Sequence, residues 1–190
     1  ATTAEIAAIQ RLSSTAHWDV EISTADGPLH LLAWSATPPV FDGEEDRNGR
    51  RNHDEAVFWL NHLPDAPFVL LVKINLDPLD GEGRPEAITA LLNHVQDTAP
   101  AGSYQPPQNA ANAAHQGDPA LDTAQFDETG PGNLRVDYVL PAKGLHADDS
   151  GVIWPAPDSA SGQAVATASE HHLVWVDLDM SVAADARQNR

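Results

Sequence analysis

The stretch "FVLLVKINLDP", Phe68 to Pro78, constrains the fold more than any other, because it is apolar enough to lie inside a sheet with both faces covered. Side chains alternate along a strand, so Phe68, Leu70, Val72 and Ile74 share one face, and Val69, Leu71, Lys73 and Asn75 share the other. The chain has only two lysines, Lys73 and Lys143, and the first of them stands near the end of this core strand. Lys73 and Asn75 point the same way at the strand's C-terminal end, where α/β sheets tend to place their sites. Asp77 follows on that side if the strand persists. The plainer reading is a lysine that lays its stem on apolar neighbours and reaches solvent.

Around this strand, helix and strand signals interleave, which gives an α/β or α+β class. Residues 2–12 read as a short helix with Thr3 as a cap. "HWDVEIST" and "PLHLLAWSAT" read as two strands joined at Asp26-Gly27, a strong hairpin signal. "TPPVFDGEEDRNGRRN" reads as a charged loop. A helix then starts near Asn52, capped by Asn52 or Asp54, with Val57, Leu60 and Leu63 as its buried stripe. "RPEAITALLNHV" reads as a helix with Pro85 in its first turn. Residues 98–133 lack periodicity and read as a long loop. "NLRVDYVLPA", "SGVIWP" and "HHLVWVDLDM" read as closing strands, and 181–190 as a frayed tail.

At 190 residues the chain is expected to form a single domain, 1–190, or the C-terminal half of one. Its 28 acidic against 10 basic side chains give a net charge of −18, which repels nucleic acid unless a local site or bound cations reverse the sign. The absence of cysteine removes disulfides, thiol nucleophiles and thiolate zinc sites. No run approaches the eighteen or so apolar residues of a membrane helix. The start "ATTAEIAAIQRL" lacks the basic and apolar regions of an intact signal peptide, and reads as a mature or a cut terminus.

Few residues are placed to do chemistry. In "RVDYVL", Arg135, Asp137 and Val139 share a strand face; in "SEHHLVWVDL", Glu170 and His172 alternate with His171. A carboxylate that fixes a histidine's tautomer is a common functional device, and Asp137 with His171 forms one if their strands adjoin. Taken singly, each reads as a surface residue. "DGEEDRNG" spaces Asp42, Glu44, Asp46 and Asn48 alternately, but Arg47 and His53 stand where a calcium loop of the EF-hand type needs Gly and Glu. It reads as a solvated acidic turn. Nucleotide-binding glycine motifs and the serine-hydrolase elbow are missing.

Read in order, "FVLLVKINLDPLDG", "GNLRVDYVLPAKGL" and "SEHHLVWVDL" resemble the last three motifs of the endonuclease/exonuclease/phosphatase superfamily. The passage "HLLAWSATPPVFDGEEDRNGRRNHDE" before them is similar to one in bacterial secreted-type members, so the likeness covers nearly the whole chain. The resemblance implies a metal-dependent phosphoesterase and a four-layer α/β/β/α sandwich. It implies that this chain is half of that sandwich, or most of its second half, with a mainly antiparallel or mixed sheet. It also implies Mg or Mn as cofactor, an extracellular or periplasmic location, and a phosphate-ester small molecule or a polynucleotide as substrate.

The same resemblance assigns roles. The family's Gly-Asp-x-Asn motif falls on Val72-Lys73-Ile74-Asn75, so Asn75 is kept for the water and the phosphate while Lys73 replaces the activating Asp. Ser169-Glu170-His171 matches the Ser-Asp-His motif: Glu170 would hold metal, and His171, oriented by Asp137, would polarise the phosphate. Arg135 would help bind substrate. Ser35 stands where members often carry a histidine.

The likeness starts about halfway through a family member, so a second chain, a second copy or a further segment is expected to cover the open sheet face. An ammonium beside a divalent cation, at about 4 Å and an effective dielectric near 20, costs roughly 4 kcal/mol per charge. Three readings follow: an impaired or incomplete hydrolase, a non-catalytic anion-binding or assembly module, and a Schiff-base lysine. The last needs a neutral amine that nothing nearby in the sequence supplies.

Overall fold

The computed structural model of the chain describes residues 3–127 and 129–181. Of the tail expected at 181–190, all but Ser181 lies outside the described residues. After a short helix α1, Ala4–Ile9, whose Ile6 amide donates to the capping Thr3 Oγ1, the chain forms the hairpin of β1, His17–Thr24, and β2, Gly27–Ser35. Thr24 pairs with Gly27, so Ala25 and Asp26 occupy the turn and the Asp-Gly signal is displaced by one residue. Gly27 closes the turn at φ 116, where a side chain would be strained.

The main sheet has the order β1-β2-β3-β6, with β3 at Phe68–Lys73 and β6 at Asp137–Pro141. β1 and β6 run antiparallel to their neighbours while β2 and β3 run parallel, so the sheet is mixed. Two helices, α2 at Arg47–Leu60 and α3 at Glu86–Leu92, cover one face over Leu32, Trp34, Leu70, Val72, Ile74 and Leu140. Leu32, Leu70 and Ile74 are fully buried, each stabilising the fold by roughly 1.5–3 kcal/mol.

Helix α2 starts five residues before the expected Asn52. The Asp42 carboxylate takes the first-turn amide of Asn48, and Asp46 pairs with Arg84, so the acidic turn serves as the helix start. Asn52 is no cap. It is buried and donates through Nδ2 to the Thr37 and Ile74 carbonyls, at 2.8 and 2.7 Å. Buried beside it is Glu55, which accepts from the Ser14 and Thr37 amides at 2.9 and 2.6 Å. The expected stripe of Val57, Leu60 and Leu63 is only partly buried, because Asn52, Glu55, Ala56 and Trp59 face the core instead.

The opposite sheet face packs Leu29, Val69 and Leu145 against Leu178 and Met180. The last two belong to, or adjoin, the antiparallel pair of β7, His146–Val152, and β8, Val174–Asp179. That pair leaves the outer strand open: Trp18, Val20 and Ile22, opposite Ala33, Leu31 and Leu29, are 59%, 46% and 38% exposed. Between β7 and β8 lies a helix the sequence reading missed, α4 at Ala160–Ala168, capped by Ser159 Oγ on the Gly162 amide at 2.9 Å. Only Gly162 of this helix is buried, so it carries no apolar stripe to signal it.

The segment 98–133 contains two 3-10 turns, Ala110–Ala114 and Pro119–Leu121, and the strand β4, Ala124–Gln125. β4 pairs with β5, Asn133–Leu134. The expected single strand "NLRVDYVLPA" is thus two. It breaks at Arg135 and Val136, whose amides are taken by side chains, Asp77 Oδ2 at 2.8 Å and Thr123 Oγ1 at 2.9 Å.

Candidate functional site

Parallel pairing of β2 with β3 and antiparallel pairing of β3 with β6 put three residues in one row. Ser35 lies opposite Lys73, and Lys73 opposite Asp137, all on the face that carries Leu71 and Val139. The row edges a depression of about 550 Å³ whose wall includes Trp18, Leu71, Lys73, Asp137, His172 and Leu173. Lys73 is half-buried, and among the described residues its ammonium has no hydrogen bond or ion pair.

Asp137 meets His171 as the sequence suggests. His171 Nδ1 lies 2.7 Å from Asp137 Oδ2, and the Thr123 hydroxyl donates to the same oxygen at 3.2 Å. Thr123 is fully buried, and its Oγ1 accepts the amides of Val136 and Asp137 at 2.9 Å each. His171 is held by an antiparallel bridge to Ala124, and its ring meets the edge of Phe126 with centroids 5.6 Å apart. With Nδ1 tied to the carboxylate, Nε2 is the nitrogen left for a ligand.

The other expected residues do not all converge. Asn75 adopts the left-handed conformation, φ 55, and donates through Nδ2 to the Ala36 carbonyl at 2.8 Å, tying the ends of β3 and β2 together. It does not line the depression. β3 ends at Lys73, so Asp77 does not continue the row; its side chain accepts three amides, of Leu79, Asp80 and Arg135. Arg135, expected to bind substrate, is buried. It forms a bidentate pair with Asp97, at 2.9 and 2.6 Å, and sits 4.8 Å over the Tyr138 ring. Glu170 is exposed and stands outside the depression.

The sequence singled out His171 and passed over its neighbour. His172 is 6% exposed, stacks on Trp154 with centroids 3.8 Å apart, and lines the depression. Neither ring nitrogen has a hydrogen bond of regular geometry among the described residues. Burial lowers its pKa from the ordinary histidine value, and the nearby Ile153 backbone opposes that only in part. The signal was the His-His pair itself, since adjacent residues in extended chain face opposite ways.

The donor set does not fit Mg or Mn. Lys73 brings a positive charge into the row with Asp137, Glu170 stands outside the depression, and the Asp137 oxygen is engaged by His171 and Thr123. Among the described residues no three acidic or histidine side chains are grouped to hold a metal ion.

The backbone is similar to solved structures, among them two with TM-scores above one half. One is an endonuclease/exonuclease/phosphatase from Beutenbergia cavernae, at TM-score 0.55 and 16% identity, covering 84% of this chain and 38% of that one. The second is the 3′ phosphatase NExo from Neisseria bound to product DNA hairpin, at TM-score 0.52 and 14% identity, covering 85% of this chain and 64% of that one. The chain has the endonuclease/exonuclease/phosphatase fold. It spans less than two thirds of either structure's length. A beta toxin from Staphylococcus aureus with bound magnesium ions also matches, at TM-score 0.40 and 11% identity, covering 85% of this chain and 53% of that one. No family model and no curated protein matches the sequence. The sheet order and helix layer agree with the expected α/β class and its mixed sheet.

Proposed function

We propose that this chain carries a phosphate-ester site of the phosphoesterase type in which binding is retained and metal-dependent hydrolysis is impaired. The observation behind this reading is the Lys73 ammonium, unpaired among the described residues, in one row with Asp137, which in turn orients His171. An ammonium is a compact donor for a phosphoryl oxygen. His171 Nε2, with its tautomer set by Asp137, can accept a proton from a phosphate hydroxyl or, once protonated, donate to an oxygen. A lysine cannot take a proton from water as the replaced carboxylate would, so attack on phosphorus lacks its base.

Thermal unfolding in the presence of inorganic phosphate, without metal, tests the binding half. Protection in the wild type and none in Lys73→Ala is the expected result; equal protection in both removes Lys73 from the site. Cleavage of a phosphodiester assayed with magnesium or manganese tests the impairment: none above background is expected in the wild type, and metal-dependent turnover lost on addition of a chelator would overturn it.

The open row of Trp18, Val20 and Ile22 supports a further part of the reading: a second sheet packs there, face to face at about 10 Å. Native mass spectrometry should show a species heavier than 20.3 kDa. A lone chain would remove that part.

A further inference from the structure

Carboxylates from two segments meet beside the candidate site. Asp77 and Asp80 stand on the turn after β3, and Asp118 and Asp122 on the segment that leads into β4. The first three are held by backbone amides. Asp77 accepts from Leu79, Asp80 and Arg135, Asp80 from Gln116 and Gly117 at 2.8 Å each, and Asp118 from Ala120 at 3.0 Å. Asp122 has no such support. It is 7% exposed, yet among the described residues its carboxyl group accepts no hydrogen bond and joins no ion pair. Arg135, which feels the charge of Asp77, is turned to Asp97. A carboxyl group buried among carboxylates without a paired cation favours its neutral form. Burial, then the charges of Asp77, Asp80 and Asp118, raise its pKa to about 7.

The two residues after Asp122 build the site. Thr123 Oγ1 accepts the Val136 and Asp137 amides and donates to the Asp137 carboxylate, and the Thr123 carbonyl accepts the His172 amide at 2.7 Å. Ala124 forms the bridge to His171. On one side of Asp122, Asp80 ties Gln116 and Gly117 to the turn; on the other, Thr123 and Ala124 hold Asp137 and His171. A negative charge at Asp122 repels the very turn that anchors its segment, and moving the segment away relieves it.

We propose that Asp122 is a proton-operated latch on the Asp137–His171 pair: protonated, it lets segment 116–124 close on the Asp77–Asp80 turn, and ionised, it drives the segment off and loosens Thr123 and Ala124 from their partners. The inference goes beyond the phosphate-ester reading and does not depend on it. Its direction is fixed. The stabilisation is fully present below the unfolded carboxylate range and is lost as pH rises through the folded value of about 7.

Amide hydrogen exchange of the full chain tests the latch, with wild type and Asp122→Asn compared at the same pH so that the intrinsic pH dependence cancels. The asparagine stays neutral. Peptides spanning 116–124 should therefore exchange alike in the two proteins near pH ~4 and more than about tenfold faster in wild type near pH ~8. The Val136 and Asp137 amides, which donate to Thr123, read the site. Their NMR resonances should step with a midpoint of about 7 in wild type and lack that step in Asp122→Asn. In Asp118→Asn, which keeps an acceptor for the Ala120 amide and removes one repelling charge, the step should fall at lower pH.

Equal exchange in wild type and Asp122→Asn near pH ~8 would overturn the latch. Faster exchange of 116–124 with the Val136 and Asp137 amides unmoved would overturn its link to the site. Should Asp122→Asn fail to fold, a wild-type step that Asp118→Asn leaves at the same pH would overturn the proposal by itself.

Discussion

Lys73 and Asp137 face each other across the β3–β6 pair, yet no ion pair joins them, because the Asp137 carboxylate is turned to His171 and Thr123. The two charges therefore act on the same space separately. A bound phosphate is attracted by one and repelled by the other, and this makes the site unlike one that binds metal.

Asp137→Asn should tighten inorganic phosphate, by about tenfold, because one like charge beside the anion is removed while the amide oxygen can still accept from His171. A metal-dependent site would respond in the opposite direction. Titration calorimetry without metal reads the sign directly.

Thr123→Val preserves shape but removes the oxygen that accepts the Val136 and Asp137 amides. Two amides lose their partner at the break between β5 and β6, so the variant should lose roughly 2–4 kcal/mol. Urea unfolding measures it. A cost under about half a kcal/mol would mean water replaces the hydroxyl.

Arg135 and Asp97 should appear in acid stability rather than in ligand binding. Burial raises the Asp97 carboxyl, but the bonds and charge of Arg135 outweigh it and hold the group below its usual value. A depressed pKa stabilises the fold above the unfolded carboxylate range, and that contribution is lost as pH falls through the folded value. Wild type should thus exceed Asp97→Ala by about 1.5–3 kcal/mol at neutral pH, with the gap closing well below pH ~4. Phosphate affinity should be equal in the two proteins.

Asp122 should give the opposite pH dependence. Burial, then the charges of Asp77, Asp80 and Asp118, push its pKa up to about 7. A raised folded pKa favours the native state below the unfolded carboxylate range, and this advantage is lost as pH rises through about 7. Asp122→Asn should therefore stabilise the protein little near pH ~4 and by up to roughly 4 kcal/mol above pH ~8. Chemical unfolding across that range checks both sign and midpoint.

Much of this architecture was legible in local pattern. The apolar run at Phe68 gave the central strand, the Asp-Gly pair marked the hairpin, and Pro85 marked the start of α3. Misses fell where a side chain, not a periodicity, decided the outcome. Asp42 started α2 early, Asp77 and Thr123 broke the strand before β6, and α4 formed with almost no buried face. At the site, the Asp137–His171 pair followed from residue type once strands were placed, whereas Arg135, identical in sequence plausibility, was drawn to Asp97.

By itself, the sequence determined which residues could be inside and which faces they shared, because alternation along a strand is a local property of the backbone. It also placed one of only two lysines, Lys73, near the end of the core strand. Tertiary structure alone decided which groups are free to act. A side chain's partners come from strand register and loop path over separations such as the 34 residues between Asp137 and His171, and no local pattern encodes them. Hence Arg135 is occupied and Lys73, among the described residues, is not, and the buried His172 rather than Asn75 lines the depression.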